Sequence, residues 1–224
     1  KVFKESGERP ELFLVVLPTT AASLYNSIKR LAYIKFGVQT QCMQAKHLNR
    51  PNLQYCANLC LKINVKLGGI NSTIPPEELS VLAAEPTLIL GADVSHPGPG
   101  MGHRPSTASV VGSINRDASR YHAMLCQQPP RTEIIGKMGE IVLTMLRRYY
   151  SNTKEKPKRI VIYRDGVSEG QFQQVLDQEL SAIKQACNTI ETTYNPKVTF
   201  IVIQKRTHAR FLPLGRNDAD RSGN

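Results

Sequence analysis

An α/β fold is the class that this sequence predicts, and two observations lead to it. Short apolar runs rich in β-branched residues, such as Glu11–Leu17 and Val198–Ile203, have the length and composition of buried strands. Between them lie segments whose apolar residues recur every three or four positions, which is the spacing of an amphipathic helix. The 224 residues suit one large or two small globular domains, and 41% of them are hydrophobic, which is enough for a sizeable core.

The first unit is predicted over residues 1–70. Its elements are a strand, a helix, a strand and a helix, at Glu11–Leu17, Ala21–Phe36, Val38–Met43 and Leu53–Leu67. The pair Gly68-Gly69 ends the last helix. Residues 71–86 contain Pro75-Pro76 and no clear hydrophobic period, and we therefore predict a linker between two domains there.

The second unit is predicted over residues 87–224, as three strands, a helix, a strand, a helix and a strand. These segments are Thr87–Ala92, Ala108–Ile114, Tyr121–Gln127, Ile134–Tyr149, Arg159–Tyr163, Phe172–Cys187 and Val198–Ile203. This is the order of the ribonuclease H-like fold, in which the first and fourth strands lie side by side and parallel. We therefore predict that Asp93 and Asp165 lie at neighbouring carboxyl ends of strands, where open α/β sheets place their sites.

The charge balance favours a polyanionic partner. Lys and Arg total 29 against 18 Asp and Glu, a formal net charge of +11. A basic protein with no nucleic-acid role remains the alternative from charge alone. No run reaches the roughly 18 apolar residues of a membrane span, so no membrane association is expected. The polar segment Lys1–Pro10 does not resemble a signal peptide and is expected to lie within a longer chain.

Five cysteines are an odd number for a disulfide framework, and most of them lie in apolar runs. We expect reduced thiols, as in a cytosolic or nuclear protein. Cys56 and Cys60 share a helix face, but no second Cys/His pair follows at the spacing of a zinc site, which favours packing over metal binding.

The two aspartates suit a metal site. Carboxylates at adjoining strand ends repel each other unless a cation lies between them. Mg²⁺ prefers hard oxygen ligands, and two such ions can activate a water and stabilise the leaving oxygen of a phosphodiester. Solvated loop aspartates or helix caps remain the alternative for Asp93 and Asp165. From the residues alone, Glu133 fits better as an acid complementing the N-terminus of the next helix, and His96 and His103 fit better as ordinary loop histidines than as ligands.

The first unit is basic in an unusual way. From Leu12 to Pro76 there are seven Lys or Arg residues and no Asp or Glu. Lys62 and Lys66 are four apart on one predicted helix, a spacing at which like charges destabilise unless an anion binds between them. A solvated basic face remains the alternative. After the last strand, the segment Gln204–Arg210 carries three cations that suit phosphate contacts, with an ordinary polar loop as the alternative.

Several motifs resemble one protein family. The segments GADVSHP (Gly91–Pro97), PPRTEII (Pro129–Ile135), YRDGVSEGQ (Tyr163–Gln171) and VIQKRTHARF (Val202–Phe211) closely resemble the Piwi domain of eukaryotic Argonaute proteins. TQCMQ (Thr40–Gln44) and NLCLKINVKLGG (Asn58–Gly69) resemble the end of the preceding Mid domain. The resemblance implies a partial Rossmann-like Mid domain in residues 1–70 and an incomplete ribonuclease H-like Piwi domain in residues 87–224, truncated at its C-terminus.

The resemblance implies a catalytic role for Asp93, Glu133 and Asp165, and it reverses the preference for Glu133 as a helix-end acid. Asp93 and Asp165 would be the metal ligands for two Mg²⁺ ions, with Mn²⁺ as an alternative. The family's fourth catalytic residue, a histidine or an aspartate, matches no position up to Asn224. This segment by itself is therefore expected not to cut RNA.

The resemblance also implies that the Mid part binds the 5′ phosphate of a small guide RNA. The implied residues, with a tyrosine that stacks on the first base, are Tyr25, Lys29, Gln41, Asn58, Lys62 and Lys66. The loop Pro18–Leu24 would sense the first base. The implied contacts to the guide backbone are Lys205, Arg206 and Arg210.

The leading functional hypothesis is thus a guide-directed endoribonuclease that cuts paired target RNA and acts with silencing cofactor proteins in the cytoplasm or the nucleus. The alternative is a guide-loaded RNA-binding protein that silences without cutting. A dinucleotide-dependent oxidoreductase is not supported, because Gly98, Gly100 and Gly102 do not fit G-x-G-x-x-G and a strand follows them.

Overall fold

Two sheets, one in each of two units, organise the chain. The computed structural model describes residues 10–50, 52–75, 77–79, 84–205, 212–215 and 217–219. The units divide between Thr73 and Ile74, within the stretch 71–86 that the sequence predicts as a linker.

The first unit has a two-stranded parallel sheet of β1 (Leu12–Leu17) and β2 (Gln39–Gln44). The connection between them is helix α1 (Ala22–Arg30), which continues as a π-helical segment, Leu31–Phe36. A left-handed Gly37 then ends the helix. The predicted strand–helix–strand order is confirmed.

Two helices follow β2. The short helix α2 (Lys46–Asn49) was not predicted, and α3 (Leu53–Lys66) was. Asn52 caps α3, because its Oδ1 accepts hydrogen bonds from the backbone N–H groups of Gln54 and Tyr55. No residue of α3 is buried, since a sheet of two strands has too little area to cover the apolar side chains of a helix.

The second unit is built on a five-stranded sheet of order β5-β4-β3-β6-β7. Its strands are β3 (Thr87–Ser95), β4 (Ser106–Ser113), β5 (Tyr121–Gln128), β6 (Arg159–Asp165) and β7 (Lys197–Ile203). The pairs β3–β4 and β4–β5 are antiparallel, whereas β3–β6 and β6–β7 are parallel. The predicted ribonuclease H-like arrangement, with the first and fourth strands of this unit adjacent and parallel, is confirmed.

Helices cover this sheet and complete the core. They are α4 (Met138–Thr153), α5 (Phe172–Val175) and α6 (Ser181–Ile190), with a π-helical segment, Leu176–Leu180, between the last two. Helices α4 and α6 approach each other closely at Gly139. A Cβ atom at this position would stand 3.3 Å from the carbonyl oxygen of Ala182. The core contains buried side chains from both layers, among them Leu88, Leu90, Ile160, Ile162, Met138, Met145, Leu146 and Ile183. Within the described residues, no helix is both long and apolar enough to cross a lipid bilayer.

The predicted start of helix α4 was wrong, and this error changes the interpretation of Glu133. The helix expected to start at Ile134 begins at Met138, and its first turn carries Glu140 as the acidic residue. The apolar spacing extended too far because Ile135 is buried although it belongs to the preceding loop. Glu133 therefore lies in a loop and is not the acid at the N-terminus of this helix.

Candidate active site and anion pocket

The ends of β3 and β6 bring Asp93 and Asp165 side by side. In the parallel register, Ala92 pairs with Arg164, so the two aspartates occupy the next position on neighbouring strands. Both line one cleft of about 500 Å³ at the carboxyl end of the sheet. This juxtaposition is the one that the strand order in the sequence predicts.

Gly166 brings the third carboxylate into the same place. Its φ of +86° lies in the left-handed region that favours glycine. A Cβ atom at this position would stand 3.4 Å from Asp93 Oδ1 and 3.6 Å from Glu133 Oε1. Because Gly166 directly follows Asp165, all three acids converge on this turn, and the absence of a side chain leaves room between them.

Glu133 is held firmly, although it belongs to a loop. Its side chain is 10% exposed, and His96 Nε2 lies 2.8 Å from its Oε2. Its main-chain carbonyl accepts a 2.6 Å hydrogen bond from Arg164 Nη2. The same Nη2 lies 2.9 Å from Oε1, but Oε1 is buried and has no hydrogen bond of acceptable geometry. His96 thus holds Oε2 and the charge of Arg164 holds Oε1, which as a carboxylate oxygen can still accept a further bond.

His96 is itself oriented by Ser106, the first residue of β4. Its Nδ1 lies 2.8 Å from Ser106 Oγ, which in turn accepts a 2.9 Å bond from the backbone N–H of Arg131. Ionised Glu133 can only accept, so His96 Nε2 carries the proton between them. With a neutral ring, the Ser106 hydroxyl donates to Nδ1.

Behind these acids lies a buried ion pair. Arg164 and Glu179 are 0% and 1% exposed, and Arg164 Nε lies 3.1 Å from Glu179 Oε2. Glu179 Oε1 also accepts a 2.8 Å hydrogen bond from the N–H of Ile135. Desolvation by burial raises the pKa of Glu179, whereas the adjacent guanidinium opposes that shift.

Neither Arg164 nor Glu179 was predicted from the sequence, and His96 was predicted to be an ordinary loop residue. The sequence did contain a signal for Arg164, because this residue shares the buried face of β6 with Ile160 and Ile162. An arginine at such a position requires a buried acid as partner. The identity of that acid could not be read from the sequence, since Glu179 lies 15 residues further along the chain.

Lys205 forms an ion pair with one of the two aspartates, Asp165. Its ammonium contacts Asp165 Oδ2 while most of its own side chain remains exposed. This hydrogen bond holds the pKa of Asp165 below its usual value and raises the pKa of Lys205. Arg206 and Arg210, the other predicted contacts to a nucleic-acid backbone, lie outside the described residues.

The donor set fits a hard divalent cation. Among the residues that the structure describes, no three carboxylates, imidazoles or thiols meet closely enough to enclose one ion. Mg²⁺, however, is commonly held by one or two carboxylates and completes its shell with waters and substrate phosphates. Two aspartates on neighbouring strand ends, which line one cleft, meet that requirement.

In the first unit, two lysines converge on Thr40. Lys29 Nζ donates to the Thr40 carbonyl oxygen at 2.7 Å and to its Oγ1 at 2.8 Å. Lys66 Nζ donates to the same carbonyl at 2.8 Å and to Gln41 Oε1 at 2.5 Å. Two ammonium groups sharing one carbonyl oxygen form a concentrated positive site, and we call Lys29, Thr40, Gln41 and Lys66 the anion pocket.

Electrostatics agree with this description of the anion pocket. Burial lowers the pKa of Lys66 first, and the positive charge of Lys29 lowers it further. Cys42 opposes these effects, and Lys62 adds the weakest lowering effect. Lys62 thus acts on the pocket through its charge. Asn58, another predicted contact, accepts a hydrogen bond from Gln54 instead.

Aromatic rings lie beside the anion pocket. The ring centroid of Tyr25 is 5.5 Å from Lys29 Nζ. Tyr25 also lines a cleft of about 410 Å³ together with His47 and Tyr55, and the rings of these last two stack with centroids 3.9 Å apart. The sequence predicts a binding role for Tyr25, and the stacked pair of His47 and Tyr55 was not predicted.

The chain matches known proteins over most of its length. Residues 12–224 match the model of the Piwi domain family. The structure of Kluyveromyces polysporus Argonaute with a guide RNA is similar with a TM-score of 0.83 and 30% identity, over 95% of this chain and 25% of that one. The MID-PIWI domains of N. crassa QDE-2 AGO give a TM-score of 0.76 and 33% identity, over 90% of this chain and 58% of that one.

A third match is the C-terminal lobe of a budding yeast Argonaute, with a TM-score of 0.81 and 31% identity, over 95% of this chain and 44% of that one. The chain therefore spans between a quarter and about three fifths of the length of these relatives. Both the family match and the strand order agree with the family that the motifs in the sequence indicate. This chain belongs to the Piwi domain family, it has a ribonuclease H-like fold, and it is similar to the structures of fungal Argonaute proteins.

Proposed function

We propose that the protein to which this chain belongs is a guide-RNA-directed silencing factor that cuts paired target RNA. The observation that carries the proposal is the convergence of Asp93, Glu133 and Asp165 on Gly166. The proposal is also supported by a similar structure, that of Kluyveromyces polysporus Argonaute, which contains a guide RNA. The net charge of +11 suits a nucleic-acid partner.

For cutting, Asp93 and Asp165 would hold two Mg²⁺ ions, or Mn²⁺ in their place, at the carboxyl end of the sheet. When bound, such ions activate a water and stabilise the leaving oxygen of a phosphodiester. Glu133 would complete the site from the loop side, since its Oε1 faces Gly166. His96 and Arg164 hold this carboxylate in place before substrate arrives, which lowers the cost of ordering it.

For guide binding, the anion pocket would take the 5′ phosphate. Lys29 and Lys66 both donate to one carbonyl oxygen, and a phosphate would offer them stronger, charge-assisted bonds. Gln41 would contribute its amide, Lys62 and Asn58 would lie at the margin, and the exposed ring of Tyr25 would stack on the first base.

The second candidate is a guide-loaded protein that silences without cutting. It is favoured by the ammonium of Lys205 on Asp165, which neutralises part of the metal site. Target RNA and silencing proteins would be partners in either case, in the cytoplasm or the nucleus.

Because no position of this chain matches the fourth catalytic residue, we also propose that residues 1–224 alone do not cut.

The test uses the full-length protein loaded with a guide and a labelled RNA paired to it. Asp93→Ala and Asp165→Ala should abolish Mg²⁺-dependent cutting and leave guide affinity nearly unchanged, because the anion pocket belongs to the other unit. Glu133→Ala should also impair cutting. The matched control is Asp177→Ala, an exposed aspartate of the same unit, which should cut normally.

Retained cutting by the Asp93→Ala protein would exclude the proposed site. A wild-type protein that binds guide and target tightly but never cuts would favour the second candidate.

A further inference from the structure

We infer that Glu179 is a positioning residue for the carboxylate of Glu133, acting through both Arg164 and the Glu133 loop. The inference rests on the proposed cutting function and adds a residue to it. Glu179 touches none of the three converging acids, and its role follows from what it holds.

Glu179 reaches the Glu133 loop directly. It lies on the π-helical segment Leu176–Leu180, and its Oε1 accepts a 2.8 Å hydrogen bond from the N–H of Ile135, two residues after Glu133. This bond is buried, so water cannot replace it without cost. The loop before α4 is thereby anchored at a point adjacent to the acid that it presents.

The second connection runs through the guanidinium of Arg164. Glu179 contacts Nε at 3.1 Å and Nη2 at 3.3 Å, which sets the plane of the group. From that plane, Nη2 donates to the Glu133 carbonyl at 2.6 Å and Nη1 donates to the Asp165 carbonyl at 2.5 Å. One carboxylate therefore orients the group that ties the Glu133 loop to the end of β6.

Stability is a poor explanation for this pair. Buried ion pairs often contribute no more than hydrophobic residues of similar volume, because desolvation of both charges is costly. Among the described residues, every hydrogen bond of the Glu179 side chain leads to Arg164 or to the Glu133 loop. The π-helical turn that carries it is a feature frequent at functional sites.

The deciding variant is Glu179→Gln in the full-length, guide-loaded protein. Glutamine keeps the size of the side chain and an oxygen for the Ile135 N–H, but it removes the charge that orients Arg164. We expect the single-turnover cutting rate to fall about 10- to 100-fold, as for outer partners of metal sites, with unchanged guide affinity and target KM. The matched control is Glu140→Gln, an exposed glutamate on α4, which should cut at the wild-type rate.

The measurement is made at a temperature where thermal melting shows both variants to be folded, so that a loss of rate reports on the site. Cutting by Glu179→Gln at the wild-type rate would overturn the inference, and so would a loss that appears only as a raised target KM. Hydrogen exchange of a peptide spanning 131–137 provides a readout that does not require cutting. Exchange at Ile135 should become faster, because its bond to the side chain at position 179 loses the charge of the acceptor, while exchange in α4 and α6 stays unchanged.

The two readouts separate the inference from the proposed function. If the wild-type protein never cuts, the cutting function fails, and the exchange experiment alone judges the positioning role. Unchanged exchange in 131–137, or faster exchange throughout the second unit, would then show that Glu179 has no local positioning role.

Discussion

His96 Nε2 lies 2.8 Å from Glu133 Oε2, and this contact joins the loop after β3 to the loop before α4. Asp93 lies near the end of β3, and Glu133 lies in the loop before α4. The histidine therefore links the position of the third acid to the strand that carries the first.

Replacing His96 by alanine should slow target cutting about 10- to 100-fold and leave guide affinity unchanged, because Glu133 loses the donor that fixes its Oε2. Single-turnover cleavage with a preloaded guide measures this. His103→Ala, an exposed histidine of the same loop, is the matched control. Equal cutting by both variants would show that Arg164 alone suffices to hold Glu133.

Replacing Gly166 by alanine should lower the free energy of unfolding by about 1–3 kcal/mol, since a φ of +86° strains any residue with a Cβ atom. The methyl group would also enter the space between the acids. Urea denaturation measures the first effect, and Mn²⁺ titration should show weaker binding. Gly170→Ala is the control, because its Cβ would meet nothing within 4 Å. A Gly166→Ala protein as stable as this control would contradict the expected strain.

Replacing Lys66 by alanine should weaken binding of a 5′-phosphorylated guide about 10- to 100-fold, the effect of losing one charge-assisted bond. Binding of a 5′-hydroxyl guide should hardly change, so the preference for phosphate should shrink. Fluorescence titration of both guides tests this. Lys35→Ala removes an exposed charge from the same unit without touching the anion pocket, and it should retain the preference. A wild-type protein with no preference for the phosphate would exclude the pocket.

Thiol reactivity should separate the cysteines. Burial raises the pKa of the Cys187 thiol to about 11, so at pH 8 only about one thiol in a thousand would be ionised. Cys56 and Cys60 are exposed. Mass spectrometry after brief alkylation at pH 8 should find these two modified and Cys187 unmodified until the protein is unfolded. Early modification of Cys187 would show that α6 opens readily.

Much of the second unit could be predicted from the sequence because its signals are local. The strands at Thr87, Arg159 and Lys197 are continuous apolar runs, and the order of strands and helices left few topologies to consider. The parallel pairing of β3 and β6 then placed Asp93 beside Asp165. The start of α4 was misplaced for the opposite reason, since Ile135 continues the apolar pattern while its backbone is already irregular.

The sequence by itself determined the fold class, the family and the two aspartates at neighbouring strand ends, because hydrophobic periodicity and contiguous motifs carry that information. Only the tertiary structure decided how Glu133 is held. The contacts of Arg164 with Glu179, of Glu179 with Ile135 and of His96 with Glu133 join residues that are 15, 44 and 37 positions apart. No local sequence pattern encodes such pairs. A buried charged side chain must be paired, and the packing of the core determines which partner lies within reach.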